Sequence, residues 1–194
     1  MDRQAHMPSE GGLKECAVLC ILRAQDPAAS SPETGERMLL LRRGKPGPLY
    51  GMHVPIGGHI ESHESPRQAA IREAHEEAGV TLDRVTFCGV LVETSPVAYN
   101  WITFIYSANV EEMFDPPQCR EGMLTWVTEE ALATLATPDT DAHIYQYVAQ
   151  GQRFVLDAVY DAELRLLSLV EELSGEVLVA GERGLTPQGK ETDA

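Results

Sequence analysis

The stretch from Gly57 to Val80, GGHIESHESPRQAAIREAHEEAGV, constrains this chain more than any other. Its punctuation is that of a helix. Ser65 is a strong N-cap, Pro66 suits the first helical position, and Gln68 completes a capping box. Gly79 accepts the left-handed backbone that ends a helix. The spacing predicts a helix over residues 66–78. At about 100° per residue, Ala70, Ile71, Ala74 and Ala78 gather on one side, where small side chains permit close packing on a sheet. Glu73, Glu76 and Glu77 gather on the other, with Arg72 at its edge.

Like charges at i, i+3 and i+4 repel one another unless a cation sits among them. Hard carboxylate oxygens on one face are what Mg²⁺, or alternatively Mn²⁺, takes as ligands. The same residues could also form a plain solvated face in which Arg72 pairs with Glu76. The Gly57-Gly58 turn and Glu64, at fixed distances ahead of the helix, favour the metal reading.

Written as G-x5-E-x7-R-E-U-x-E-E-x-G-U, with U apolar, the residues Gly58, Glu64, Arg72-Glu73, Ala74, Glu76-Glu77, Gly79 and Val80 resemble the signature of the Nudix (MutT-like) hydrolases. The resemblance implies an α/β fold, an α/β/α sandwich around a mixed β-sheet. It implies that Glu73, Glu76 and Glu77 bind divalent metal, that Glu76 or Glu77 also orients or deprotonates water, and that the Gly57 carbonyl adds a ligand. Glu64, Arg72 and Gly58 would stand behind these ligands as supports. The match is clean over 24 residues and looser outside them. Pro55 stands one residue earlier than in many relatives, with Ile56 before the glycines, and His63 replaces the usual glycine before Glu64. These departures touch loop shape more than metal chemistry.

The length of 194 residues suits one domain with tails. Residues 1–12 read as a flexible leader, 13–173 as the domain, and 174–194, rich in Gly, Pro, Lys and acid, as a disordered tail. No run approaches a membrane span, and MDRQAHMPSEGG has no apolar signal region, so the expectation is a cytoplasmic protein. The net charge of −15 argues against nonspecific nucleic-acid binding. Bound metal would locally reverse that field for an anionic substrate. Cys16, Cys20, Cys88 and Cys119 lack zinc-ligand spacing and read as reduced thiols.

Strands are expected over residues 14–23, 38–43, 85–93, 101–110, 123–127 and 153–160, and helices over 128–136 and 139–150. Residues 162–173 fit a helix, or a strand followed by a helix. Arg42 and Arg43, ending the LLLRR run, fit gatekeeping charges or phosphate contacts. Glu121 stands where relatives place an additional acid that binds metal, acts as base or reads a nucleobase. Asn100, Tyr99 and Trp101 are candidate cleft residues. The segment Thr137-Pro138-Asp139-Thr140-Asp141 loosely resembles the corresponding part of bacterial oxidised-purine nucleotide hydrolases.

The resemblance therefore implies a Mg²⁺-dependent hydrolase of a nucleoside diphosphate derivative. A nucleoside triphosphate, ordinary or oxidised, giving the monophosphate and pyrophosphate, is the leading substrate. ADP-ribose or dinucleoside polyphosphate hydrolysis is the alternative. Prenyl diphosphate isomerisation lacks a suitably placed cysteine, and a non-catalytic ligand-sensing module fits an intact glutamate set less well. The resemblance also leaves room for a homodimer.

Overall fold

The computed structural model describes residues 13–29 and 35–181. Along β1 (Glu15–Gln25) the side chains alternate between two cores. Val18, Cys20 and Leu22 face one of them and Ile21 the other. The same alternation runs through β2 (Glu36–Arg43), where Leu39 and Leu41 share the first core and Leu40 the second. A sheet buried on both faces reads as a continuous apolar run, as these strands do.

After β2 come β3 (His53–Val54), β4 (Ile56–His59) and α1 (Pro66–Ala78). Next are β5 (Thr86–Thr94), β6 (Trp101–Asn109), β7 (Gly122–Thr128), α2 (Glu129–Leu132) and α3 (Asp141–Ala149). The chain ends in β8 (Phe154–Tyr160), β9 (Leu166–Glu171) and β10 (Glu176–Ala180). Among the described residues the sheet order is β10-β9-β8-β5-β6-β1-β2-β3, with β4 on β1 and β7 on β2. The β1–β6 and β5–β8 pairs are parallel and the other pairs antiparallel, so the sheet is mixed. Helix α1 covers one face with Ala69, Ala70, Ala74 and Ala78, and α3 covers the other with Ile144, Tyr145 and Val148. The expected α/β sandwich is what the chain forms. No helix among the described residues is long and apolar enough to cross a membrane.

Helix α1 begins and ends where its punctuation predicts. The Ser65 hydroxyl accepts from Gln68 N at 3.3 Å, and Gln68 Oε1 accepts from Ser65 N at 2.9 Å. Gly79 closes the helix at φ 70°.

Three expectations change. The helix foreseen over 128–136 is the single turn α2, capped by the Thr128 hydroxyl. Residues 162–173 contain no helix; they form a turn and β9. The domain does not stop at 173, because Glu176–Ala180 returns as β10 along β9. A buried carboxylate makes this hairpin: Glu171 accepts from Val155 N, Leu173 N, and both N and Oγ of Ser174. Burial alone would raise its pKa, but these donors hold it down to about 2. Leu178 and Val179 then pack against the α3-side core. Residues 1–12 and 182–194, read as leader and tail, lie outside the described residues.

One strand divides its pairing, and this places the site. The first half of β1, Ala17–Cys20, pairs with β4, while Leu22–Gln25 pairs with β2. A wide cleft opens beside this divergence. A Cβ at Gly57 would overlap the Val18 carbonyl oxygen of β1, so only glycine permits this approach. Gly57→Ala is expected to destabilise the protein by about 1–3 kcal/mol through overpacking. Chemical unfolding measures this, and unchanged stability would contradict the β1–β4 register.

Candidate active site

The cleft has a volume of about 1270 Å³ and runs from α1 across β4 towards the start of α3. At its α1 end, Glu73 and Glu77 are buried and Glu76 is exposed. The three carboxylates therefore do not share one solvated face, as a uniform acidic surface would require. Gly58 lets the helix come this close, since a Cβ there would strike the Glu73 carboxylate. Gly57 N donates to Glu77 Oε2 at 3.2 Å.

Arg72 organises the cluster. It donates to both oxygens of Glu64, at 2.7 and 3.1 Å, in the planar bidentate geometry suited to a guanidinium. It also donates to Glu73 Oε1 at 2.8 Å, to Glu76 Oε2 at 3.2 Å and to the His59 carbonyl at 3.0 Å. One side chain thus joins the loop, β4 and α1. The pairing of Arg72 with Glu64 expected from the resemblance is present, and so is the Arg72–Glu76 pair of the plainer reading.

Burial sets the electrostatics. The hydrogen bond from Arg72 lowers the pKa of Glu64. Burial raises that of Glu73 in spite of Arg72. Burial pushes Glu77 up to about 7; the Gly57 N–H opposes this, while Glu73 and Glu121 add to it. Carboxylates buried with too little positive charge are where an added cation gains most. Among the described residues, no three His, Cys, Asp or Glu side chains already converge as a metal cluster. Arg72 holds Glu73 and Glu76, and Gly57 holds Glu77.

The cations on the opposite wall come from the end of β2. Arg43 lines the cleft and meets Glu121 at 3.0 Å, and Lys45 also pairs with Glu121. Arg42, its neighbour in the strand, projects to the other face. It lines a small adjoining pocket with Tyr50 and Met123, to which Arg43 also contributes. Of the two arginines expected as phosphate contacts, Arg43 lines the cleft and Arg42 does not.

Asn100 is also displaced from its expected role. Its amide closes the β5–β6 loop, accepting from Ser95 N at 3.0 Å and donating to the Val97 carbonyl at 2.8 Å. Its neighbours Tyr99 and Trp101 do line the cleft. A chain of edge-on rings runs His59–Trp101–Tyr99–Tyr160, with centroids 5.1, 6.4 and 5.8 Å apart.

Two buried acids stand at this far end. Glu93 takes hydrogen bonds on Oε1 from the hydroxyls of Tyr99 and Tyr160, and Asp141 takes one from Tyr145. Both line the cleft. Burial raises Glu93 and pushes Asp141 up to about 7. Sequence reasoning missed Glu93, because an acid ending an apolar strand resembles an ordinary solvated strand end. Asp141 stood in the 137–141 segment, but as a helix-opening aspartate it carried no sign of burial.

Residues 17–148 match the NUDIX domain family. Over 141 residues the chain is 28% identical to the uncharacterized Nudix hydrolase YvcI of Bacillus subtilis, covering 70% of this chain and 87% of that protein. It is 34% identical over 83 residues to a putative 8-oxo-dGTP diphosphatase 3 of Mycobacterium tuberculosis, a match spanning 41% of this chain and 38% of the relative. Among solved structures, a MutT protein from Bacillus halodurans superposes with a TM-score of 0.66 at 23% identity, covering 82% of this chain and 98% of that one.

Glu77 and Asp141 each protonate near 7 in the fold but near 4 in an unfolded chain. Their contribution to stability is complete below the unfolded value and is lost as pH rises through 7. The chelator-treated protein is expected to lose melting temperature between pH 5 and 7.5, less steeply in Glu77→Gln. Thermal unfolding across that range measures it, and identical slopes would contradict a buried, uncompensated Glu77.

Proposed function

Because this chain belongs to the Nudix hydrolase family, we propose that it is a divalent-metal-dependent hydrolase that converts a nucleoside triphosphate, ordinary or oxidised, to the monophosphate and pyrophosphate. The observation that carries this reading is the pairing of buried, burial-raised carboxylates Glu73 and Glu77 with a cation-bearing cleft wall. The metal reading fits this donor set. Glu73, Glu76, Glu77 and the Gly57 carbonyl would hold Mg²⁺, or Mn²⁺ in its place. When bound, the metal supplies positive charge against the phosphate oxygens and acidity to water.

The chain's own residues do the rest. Arg72 and Glu64 fix the helix against the glycine strand, so the carboxylates keep their places. Glu76, exposed at the cleft, accepts the proton of the attacking water. Arg43 and Lys45 hold phosphate oxygens on the opposite wall. Tyr99, whose hydroxyl is held by Glu93, and Trp101 form the nucleoside end, with Asp141 also at the cleft wall. Most of the rate enhancement then comes from positioning and electrostatics. The partial match to a putative 8-oxo-dGTP diphosphatase supports a triphosphate of this kind.

The test is phosphate and pyrophosphate release with Mg²⁺ across ordinary and oxidised nucleoside triphosphates, ADP-ribose, dinucleoside polyphosphates and a nucleotide sugar. Selective turnover of one triphosphate class is expected, falling at least about a hundredfold in Glu77→Gln. Near-normal activity of that variant removes Glu77 from the machinery. Turnover confined to ADP-ribose or a dinucleoside polyphosphate reassigns the substrate.

A further inference from the structure

Glu121 is held in a way that neither metal binding nor proton transfer requires. Its backbone is pinned first. Gly44 N donates to the Glu121 carbonyl at 2.8 Å, and Glu121 N donates to Cys119 Sγ at 3.4 Å. The next residue, Gly122, pairs with Arg43 across β7 and β2. The only free variable is the side chain, and both its oxygens are taken by cations. Arg43 Nη1 meets Oε2 at 3.0 Å, and Lys45 Nζ meets Oε1. Arg43 and Glu121 are 29% and 28% exposed, so the pair is sheltered yet open to the cleft, and Lys45 is 53% exposed.

This arrangement meets a difficulty of the site. The cleft has more carboxylates than cations, and the nucleotide proposed above is an anion. Arg43 and Lys45 extend from a strand end and a turn, and left alone they would fold against Glu77 or Glu76 or point to solvent. One carboxylate between them, with a separate oxygen on each cation, holds both heads at the wall of the cleft.

We propose that Glu121 is an exchangeable counter-ion: it holds Arg43 and Lys45 in position and yields both to an incoming diphosphate, which selects ligands carrying two linked phosphoryl groups. Glu121 is then a positioning residue that acts through two cations. An anion must replace two charge-assisted hydrogen bonds made to separate oxygens. A single phosphate that reaches one cation leaves the other bound to Glu121, while linked phosphates engage both. Discrimination thus arises from a competing interaction as well as from new attraction. The proposal rests on the hydrolase reading for the natural ligand, but its physical content is anion exchange, which inorganic probes can measure.

The experiment is calorimetric titration of the full chain with inorganic pyrophosphate and with orthophosphate, with and without Mg²⁺. The proteins are wild type, Glu121→Gln, Arg43→Gln/Lys45→Gln and the triple variant. Removing a partly exposed competitor of this kind is expected to tighten pyrophosphate binding about threefold to tenfold. The preference for pyrophosphate over orthophosphate should narrow in the same variant. The gain should disappear in the Arg43→Gln/Lys45→Gln background, as coupled partners require. Mn²⁺ affinity should be unchanged by Glu121→Gln. Glu121→Ser, with its own unfolding curve, guards against a folding artefact of either substitution.

Unchanged or weaker pyrophosphate binding in Glu121→Gln overturns the proposal. So does a gain that survives loss of both cations, or a parallel fall in Mn²⁺ affinity, which would make Glu121 a metal ligand. The two readings fail separately. Exchange behaviour without turnover would leave the counter-ion and remove the hydrolase, whereas turnover with binding indifferent to Glu121 would do the reverse.

Discussion

The Arg72 guanidinium is the interaction on which the site depends. It joins the Glu64 loop, the His59 carbonyl at the end of β4 and the Glu73 and Glu76 carboxylates of α1. Three segments that would otherwise repel or drift are set by one rigid, permanently charged group. A lysine could not reproduce this, because it lacks the planar fork that takes both Glu64 oxygens. The two glycines of β4 complete the constraint from the other side. Without side chains at Gly57 and Gly58, α1 and β1 approach until Glu73 and Glu77 are buried.

That close approach explains both the packing and the chemistry. The alanines of α1 seat the helix on the sheet, and their small size is what brings the glutamates against backbone. Burying carboxylates costs stability; Glu171 is offset by four donors and Glu93 by two tyrosine hydroxyls, whereas Glu73 and Glu77 have only Arg72 and the Gly57 N–H. The sheet contributes the opening. Because β1 gives half its length to β4 and half to β2, the cation-bearing end of β2 faces the carboxylates across a cleft. Fold and site are thus consequences of the same register.

The sequence made α1 legible in detail, because Ser65, Pro66, Gln68 and Gly79 act locally and need no tertiary partner. The glutamates were legible as a spacing, and Arg72–Glu64 as part of a family pattern. What depended on long-range packing was not legible. Nothing local shows that Glu73 and Glu77 are buried while Glu76 is not. Arg42 and Arg43 differ only by strand alternation, which sends one into the cleft and the other away. Asn100 has the composition of a base-reading residue, yet its amide is spent on Ser95 and Val97 in its own loop. The β9–β10 hairpin was hidden because its turn is polar, and its organiser, Glu171, looks like any surface acid until four donors surround it.

The buried carboxylates of α1, seated on the β4 glycines, are proposed to hold a divalent cation. Mn²⁺ titration of the full chain, followed by electron paramagnetic resonance, tests this directly, with Glu73→Gln as the comparison. Saturable binding to the wild-type protein is expected, weakening at least about tenfold when Glu73 loses its charge. Saturable binding that is indifferent to Glu73, or no binding by a correctly folded protein, would contradict the proposal.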